Sequence, residues 1–242
     1  MRVVYVTHSS PPKCDGVTTR YVHTWQTALD LREDLEIFVY STCYEPGALA
    51  GVEHVMHPRL HWRPFPAFNL ASFGARPGNV FRLDAMIGIF RDSPDLVHVI
   101  GPDLVVLPIA ILAAVASVPC VCSYHTDIDA VLESYGLPRI LRTPLLWFEW
   151  GMWACERIFV TGAPTGHKLK RKYGLATCLW PVGLAVEHLR PENYSQAVRD
   201  ELTFGLRDQP LLLSASRLAK DKRVEFVVRA FRAWGKGVLA IL

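Results

Sequence analysis

Four short segments combine residue types that bind phosphate or hydroxyl groups with a place between an apolar run and the next element of the chain. Apolar runs of about four to eight residues are typical of buried strands. Ligands of open α/β sheets bind at the carboxyl ends of such strands, so the segments predict a site built from several strand ends. They are CDGVTT at 14–19, YHTD at 124–127, PVG at 181–183 and SRLAKDK at 216–222. The third also suits a turn between domains, for which Gly183 needs no ligand.

The first and last of these segments carry groups suited to an anion. Gly16 lets the backbone approach a ligand closely, and the N–H groups of the turn that begins at Val17 would face it. Arg217 offers a planar fork of donors and Lys222 a point charge, a combination that suits a diphosphate. A lone glycine is also typical of an ordinary loop, and two cations are typical of a solvated surface, so both alternatives stay open.

His125 directly follows the apolar run PCVCSY, from where it would point into the crevice above the sheet. There it can hydrogen-bond a hydroxyl or stabilise developing positive charge through its main-chain carbonyl. We assign His125 the catalytic role, and Tyr124 and Thr126 the sugar or acceptor pocket. The alternative is a histidine that only supports the structure.

These segments must be positioned by secondary structure, and the sequence predicts alternating strands and helices. Predicted strands are 2–7, 35–40, 95–100, 119–124 and 157–161. Predicted helices are about 17–29, 80–92, 103–117, 139–155 and 164–173, whereas 41–79 is irregular. This alternation predicts an α/β fold with a parallel, doubly wound sheet and helices on both faces.

The texture changes after about residue 180. Residues 181–210 are polar and contain proline, which predicts a linker and a helix. A strand at 211–215, a helix at about 222–234 with Asp221 as its cap, and a strand at 237–242 then follow. Two strands and one helix cannot bury their own apolar surfaces, so we expect this second domain to be incomplete.

Composition excludes several classes of protein. Of the 242 residues, 50% are hydrophobic and 20% charged, which excludes a disordered chain. The longest largely apolar run, 104–118, is shorter than the ~20 residues that span a bilayer, so we expect no transmembrane helix. Six scattered cysteines and an amino terminus without a long apolar core predict reduced thiols in the cytoplasm. The net charge of +3 is unevenly placed, since residues 211–242 carry seven basic and two acidic groups, which hints at an anion site near that end. We expect no nucleic-acid partner.

Taken in order, several segments resemble one enzyme family over nearly the whole chain. They are DGVTTR, DLVHVIGPD, SYHTD, RIFVTGAPT, PVGLAVEHLRP and LLLSASRLAKDKRVEFVVRAF. The sequence resembles the family-four retaining glycosyltransferases of the GT-B fold, most of all their sulfolipid-synthase and mannosyltransferase-like branch. The resemblance implies two Rossmann-like domains: an acceptor-side domain over 1–190, and a nucleotide-sugar domain that starts at 205 and is truncated at 242.

The resemblance also implies roles for the residues singled out above. The donor is a nucleotide-diphosphate sugar, and the loop at Gly16 and Val17 approaches its phosphates. The histidine matching His125 lies beside the transferred sugar. Arg217 and Lys222 match side chains that hold the diphosphate and neutralise the leaving group, so no metal and no cofactor are expected. The triplet Asp127-Ile128-Asp129 looks like a metal-binding DxD motif, but such triplets are common by chance.

Departures from the family pattern limit what these residues are expected to do alone. The family's Glu-x7-Glu motif would come after the last residue, Leu242. Ser216 stands where the family has glycine, and Ala185 where it has an acid. We therefore expect little or no transferase activity from residues 1–242 by themselves.

The acceptor and two other function classes stay open. The aromatic and basic segment 139–155 and the loop 59–75 are compatible with a lipid acceptor at a membrane surface, but do not require one. A non-catalytic GT-B half that needs a partner chain is one alternative. A dinucleotide-dependent oxidoreductase is another, although the first strand is not followed by GxGxxG.

Overall fold

The chain divides into two compact units in a computed structural model. The first unit is Met1–Asp129 with Arg139–Gly183, and the second unit is Ala130–Pro138 with Leu184–Leu242. The structure describes residues 1–11, 15–44, 57–68, 76–101, 103–134, 136, 150–181, 183, 186, 190–216 and 218–242.

In the described part of the first unit, seven strands form a single sheet. They are β1 Arg2–Thr7, β2 Glu36–Ser41, β3 Leu60–Pro64, β4 Leu96–Gly101, β5 Cys120–Tyr124, β6 Arg157–Val160 and β7 Cys178–Leu179. Their order across the sheet is β3-β2-β1-β4-β5-β6-β7, and each neighbouring pair is parallel. The predicted parallel α/β sheet is thus confirmed, and all the carboxyl ends of its strands lie along one edge.

Both faces of this sheet are covered. Alternate residues of β4 belong to different cores, with Val97 and Val99 in one and Ile100 in the other, because successive side chains of a strand point to opposite faces. The helices of this unit are α1 Gly16–Leu31, α2 Leu83–Gly88, α3 Val106–Val115 and α5 Ala163–Tyr173. Between α3 and α5 in the chain lies α4, Ile128–Ser134.

The predicted irregular region 41–79 contains β3, which the sequence analysis missed. Leu60 and Trp62 are buried while His61 is half-buried and Arg63 exposed, so the strand shows only a short apolar alternation. An edge strand of this kind needs one neighbour, and in the described part of the sheet β3 pairs with β2 alone. Just before it, Arg59 donates to the carbonyl oxygens of Leu29 and Arg32, at 2.5 Å each, where α1 ends.

Two of the predicted helices also differ in detail. The predicted helix 80–92 is the short helix α2 followed by a 3-10 turn at Ile89–Asp92. Of the predicted helix 139–155, residues 139–149 lie outside the described residues, and Gly151–Ala154 form a 3-10 turn. No helix in the described ranges combines the length and the apolar character needed to cross a membrane.

The second unit holds α6 Gln196–Leu202, β8 Leu211–Ser214, α7 Val224–Trp234 and β9 Val238–Ile241. In the part described, β8 and β9 form a parallel two-stranded sheet. The predicted cap Asp221 is wrong: α7 begins after Arg223, whose backbone is left-handed with φ 49°, and a 3-10 turn takes up Lys220–Lys222. Arg223 makes no side-chain capping hydrogen bond to the described residues.

Candidate functional site

The carboxyl edge of the sheet is organised around His125, the first residue after β5. Its main-chain N–H donates to the carbonyl oxygen of Gly101, the last residue of β4, at 3.0 Å. Gly101 is required here, because a Cβ on it would lie 2.7 Å from the main-chain nitrogen of Asp103. The strand order runs outward in one direction from β1 and in the other from β4, and ligand crevices of open α/β sheets form at such a switch point.

The imidazole of His125 touches two side chains of α1. Its Nδ1 lies 3.3 Å from Nη1 of Arg20, and its Nε2 lies 2.9 Å from the hydroxyl of Tyr21. The Tyr21 ring packs edge-to-face on the imidazole with ring centres 5.3 Å apart. The first turns of α1 therefore hold the histidine ring in a fixed place.

Arg20 is charged and yet only 7% exposed. Its Nη2 donates to the carbonyl oxygen of Trp180 at 2.9 Å and, more distantly, to that of Pro181 at 3.4 Å. The guanidinium also lies 4.8 Å from the centre of the Trp180 ring, a cation–π contact. Arg20 thus ties α1 to the chain that follows β7.

The histidine is neutral at physiological pH. Burial, and then the charge of Arg20 and the nearby His8, lower the pKa of His125 from 6.5 to about 4. A second histidine, His98 on β4, lies deeper, and its Nε2 is 2.5 Å from the hydroxyl of Ser123. Burial, followed by His125 and Arg20, lowers the pKa of His98 to about 3.

The loop before α1 places Gly16 at the exposed start of the helix. Asp15 caps the helix, accepting from the N–H of Thr18 at 2.8 Å and from the hydroxyl of Ser9 at 2.5 Å. A Cβ on Gly16 would meet no described atom within 4 Å, so the space in front of it is open. Val17 packs against the core on the α1 side of the sheet. The phosphate-binding role of these two residues stays a prediction.

The neighbours of His125 differ in how much surface they offer. Tyr124 is fully buried among apolar core residues, so little of its side chain can reach a ligand. Thr126 is half-buried. Asp127 is paired with Lys168, and Asp129 lies 3.1 Å from Lys172, both lysines standing on α5. Within the described ranges, no group of three or more His, Cys, Asp or Glu side chains is arranged to hold a metal.

The two predicted cations belong to the other part of the chain. Lys222 lies in the 3-10 turn before α7, in the second unit, and is exposed. Arg217 lies outside the described residues. The structure thus places His125 and the start of α1 at one edge of the sheet. Lys222 belongs to the second unit.

Sequence reasoning missed the side chains that hold His125, although signals for them were present. Arg20 is the last residue of DGVTTR, one of the segments that carries the family resemblance. Tyr21 counted only as part of the apolar face of a helix. The cation of Arg20 and the hydroxyl of Tyr21, both near the start of the helix after β1, were the available signals that these side chains hold the site residue in place.

Comparison with known proteins decides the family. The sequence model of Glycosyltransferase Family 4 matches residues 16–188. The chain belongs to glycosyltransferase family 4. The matched range includes Gly16, Arg20, His125 and Trp180, so the side chains that hold the imidazole lie within the family 4 region.

Relatives of this family 4 chain are transferases by name. It is 27% identical over 142 residues to sulfoquinovosyl transferase SQD2 of Arabidopsis thaliana, covering 57% of this chain and 28% of that protein. It is 25% identical over 228 residues to a GDP-mannose-dependent alpha-mannosyltransferase of Mycobacterium tuberculosis, covering 93% of this chain and 58% of that protein. The family 4 chain therefore spans well under two thirds of the length of these relatives.

Solved structures confirm the GT-B type of α/β fold. MnaA of S. aureus with UDP matches with a TM-score of 0.53 at 15% identity, over 99% of this chain and 60% of that one. UGT73P12 of Glycyrrhiza uralensis, complexed with glycyrrhetinic acid 3-O-monoglucuronide, matches with a TM-score of 0.55 at 13% identity, over 100% and 63%. At these identities the likeness concerns the fold.

Proposed function

We propose that the protein acts in transfer of a hexose-type sugar from a nucleotide-diphosphate sugar to a lipid or glycan acceptor, with retention of configuration. The observation that carries this proposal is His125, fixed at the carboxyl edge of the sheet beside the start of α1 within the family 4 region. The names of the relatives support it, since one is a sulfoquinovosyl transferase and another depends on GDP-mannose.

In this proposal the residues divide between the sugar and the diphosphate. His125 and Thr126 face the transferred sugar, and Tyr124 supports them from the core. Gly16 and Val17 bring main-chain N–H groups toward the diphosphate. Arg217 and the exposed Lys222 bind its oxygens and neutralise the leaving group.

The reaction breaks the bond between the sugar C1 and the donor diphosphate and forms one from C1 to the acceptor oxygen. For retention, the acceptor attacks from the face that the diphosphate leaves, and its hydroxyl proton passes to the leaving phosphate. His125 is a poor base for this proton, because its pKa is about 4. We assign it the positioning of the sugar and the stabilisation of positive charge at C1 through its main-chain carbonyl.

A lipid acceptor and peripheral contact with a membrane find support on the surface of the first unit. Trp150 and Trp153 are exposed large aromatic side chains. Helix α5 exposes Lys170 and Arg171, cations that favour an anionic lipid surface. We propose cytoplasmic localisation with contact at such a surface.

The second candidate function is that of a non-catalytic half that needs a partner chain. Leu213 on β8 and Phe226 on α7 are both more than half exposed, as expected for surfaces that another chain covers. We keep the expectation that residues 1–242 alone turn over little sugar. Binding is therefore the better first readout, and recovery of turnover on adding a separate nucleotide-binding half would favour this second candidate.

The test is saturation-transfer NMR of the 242-residue protein with GDP-mannose, UDP-glucose and NAD(H) in parallel. We expect saturation of the sugar protons of a nucleotide sugar, and a loss of at least half of that signal in His125→Ala. His23→Ala, an exposed histidine on α1, is the matched control and should leave the signal unchanged. Binding of NAD(H) without any nucleotide sugar would instead indicate an oxidoreductase and overturn the proposal.

A further inference from the structure

Arg20 is a buried cation for which the proposed reaction has no direct use. Among the residues that the structure describes, its guanidinium meets no carboxylate within ion-pair distance. Its partners are an imidazole nitrogen, two main-chain carbonyl oxygens and the rings of Trp180 and Tyr21. Burying a charge is costly without compensation, so five such contacts converging on one guanidinium indicate a specific role.

The contact between Arg20 and His125 determines where the imidazole carries its proton. A guanidinium has only N–H donors and no acceptor, so Nδ1 of His125 must accept from Nη1 of Arg20 across 3.3 Å. A neutral imidazole has one N–H, which is then on Nε2. That N–H donates to the hydroxyl oxygen of Tyr21 at 2.9 Å.

The titratable and charged groups around the ring are compatible with the same neutral form. Arg20 on α1 and His8 after β1 lower the pKa of His125, and His98 on β4 is itself neutral because its pKa is about 3. A proton added at Nδ1 would put an N–H against the donors of Arg20. Tyr21 remains a neutral phenol, since burial raises its pKa well above the ordinary value.

Both ring nitrogens are therefore occupied by protein groups. An imidazole in this state has no free lone pair to take a proton from an acceptor hydroxyl and no free N–H to donate to a sugar. What the ring can do is hold its own residue in place. The main chain of His125 is held at the same time by its hydrogen bond to Gly101.

We propose that Arg20 is a positioning residue that locks His125 as the neutral Nε2–H tautomer, so that His125 serves the sugar through its main chain and not through proton transfer. Tyr21 completes the lock by accepting from Nε2. The part that concerns the sugar rests on the proposed function, whereas the tautomer and its cause do not.

The direct test is ¹⁵N NMR of the histidine side chains in the full 242-residue protein, recorded from pH 5 to pH 8 without ligand. The His125 signal is assigned by its loss in His125→Gln. We expect an unprotonated Nδ1, a protonated Nε2 and no titration over this range. A protonated Nδ1, a mixture of tautomers, or titration near pH 6.5 in the unmodified protein would overturn the proposal.

Variants of Arg20 then test the cause. Arg20→Met removes both the donor and the charge, so we expect the two His125 tautomers to mix and the pKa of His125 to rise toward 6.5. Arg20→Lys keeps a donor-only cation and should retain the Nε2–H form. The matched control Arg32→Met removes an exposed arginine from the residue after α1 and should change nothing. An unchanged His125 spectrum in Arg20→Met would contradict the assigned role.

A third variant covers the case in which Arg20→Met does not fold, which circular dichroism would reveal. Tyr21→Phe removes the acceptor of the Nε2 proton and should shift the Nε2 resonance while Nδ1 stays unprotonated. An Nδ1 that becomes protonated in Tyr21→Phe would show that Arg20 does not set the tautomer.

The sugar part is measured separately from the tautomer. With a nucleotide sugar that binds, Arg20→Met should weaken binding about tenfold, and Arg20→Lys should recover most of it. If the spectra are as predicted but no nucleotide sugar binds, the role of Arg20 in setting the tautomer stands and the proposed function is contradicted. Undiminished binding in Arg20→Met, with mixed tautomers, would contradict the positioning role.

Discussion

The two units use similar strands and bury them very differently. The sequence of β8, LLLS, is more apolar than that of β4, LVHVIG, yet Leu212 and Leu213 are 37% and 57% exposed whereas β4 is almost fully buried. Strand β4 lies between β1 and β5, with a core on each face, and β8 has β9 as its neighbour in the described residues. Apolar character therefore predicts a strand, and the number of neighbours decides whether it is buried.

The helices repeat this contrast. Helix α1 buries six side chains, among them Tyr21, Trp25 and Leu29, against the sheet. Helix α7 has an apolar face of similar spacing, but Val224, Val227 and Phe231 are only half-buried and Trp234 is exposed. Periodicity indicates which side of a helix packs, and the tertiary neighbours set the depth.

The largest expected effect compares one tryptophan from each unit. Trp25 is 1% exposed and packs on Tyr5, Tyr21 and Trp62, whereas Trp234 is 46% exposed. We expect Trp25→Ala to lower the free energy of unfolding of the first unit by about 3–5 kcal/mol through lost contacts and a cavity. Trp234→Ala should cost about 1 kcal/mol or less, since much of its surface already meets water. Equal losses in urea denaturation would contradict the contrast.

The next effect is a dependence on pH confined to the first unit. His98 and His125 have pKa values of about 3 and about 4 in the folded chain, below the 6.5 of an unfolded one. The unfolded state therefore binds more protons below pH 6.5, so their contribution to stability is complete above that pH and is lost as the pH falls toward 4.

Between pH 7 and pH 5 we expect a loss of roughly 2–4 kcal/mol from the two histidines together. His98→Asn should reduce that loss by about half in denaturant titrations at each pH. Neither His98 nor His125 lies in the second unit, so its transition should not move through these two histidines. A pH dependence that His98→Asn leaves unchanged would exclude the histidines as its source.

Two glycines, one in each unit, should be equally intolerant of alanine, because a close backbone contact does not require a large core. A Cβ on Gly101 of the first unit would lie 2.7 Å from a main-chain nitrogen, and one on Gly237 of the second unit 2.3 Å from the carbonyl oxygen of Pro210. Gly237 also has a φ of 85°, which disfavours other residues. We expect each alanine variant to destabilise its own unit by about 1–3 kcal/mol in thermal unfolding. Gly16→Ala, with open space, is the control and should stay neutral in stability.

The smallest effect should be the same in both units. Asp129 and Lys172 are 3.1 Å apart in the first unit, and Asp200 and Arg207 are 2.7 Å apart in the second. Both pairs lie at the surface, where an ion pair contributes little to the free energy of unfolding. Asp129→Asn and Asp200→Asn should each cause only a small loss of stability in chemical denaturation, and a smaller one in high salt. A loss as large as that of Trp25→Ala in either variant would contradict this expectation.

The sequence allowed most of the first unit to be predicted, because its central strands are β-branched runs buried on both faces. Strand β3 was missed because it is short and contains the polar residues His61 and Arg63. As an edge strand it needs to bury only one face, so its apolar alternation is brief. His125 could be found because it directly follows a strand. The lock formed by Arg20 and Tyr21 could not, because it joins residues more than a hundred positions apart in the chain.

We propose above all that the sheet edge at His125 is where a family 4 donor sugar is held. The most direct measurement is a crystal structure of the chain grown with a nucleotide-diphosphate sugar that binds. We predict density for the sugar ring at the carboxyl ends of β1, β4 and β5, within hydrogen-bond distance of the His125 main chain. A sugar bound elsewhere on the protein, with this edge occupied by solvent, would contradict the account.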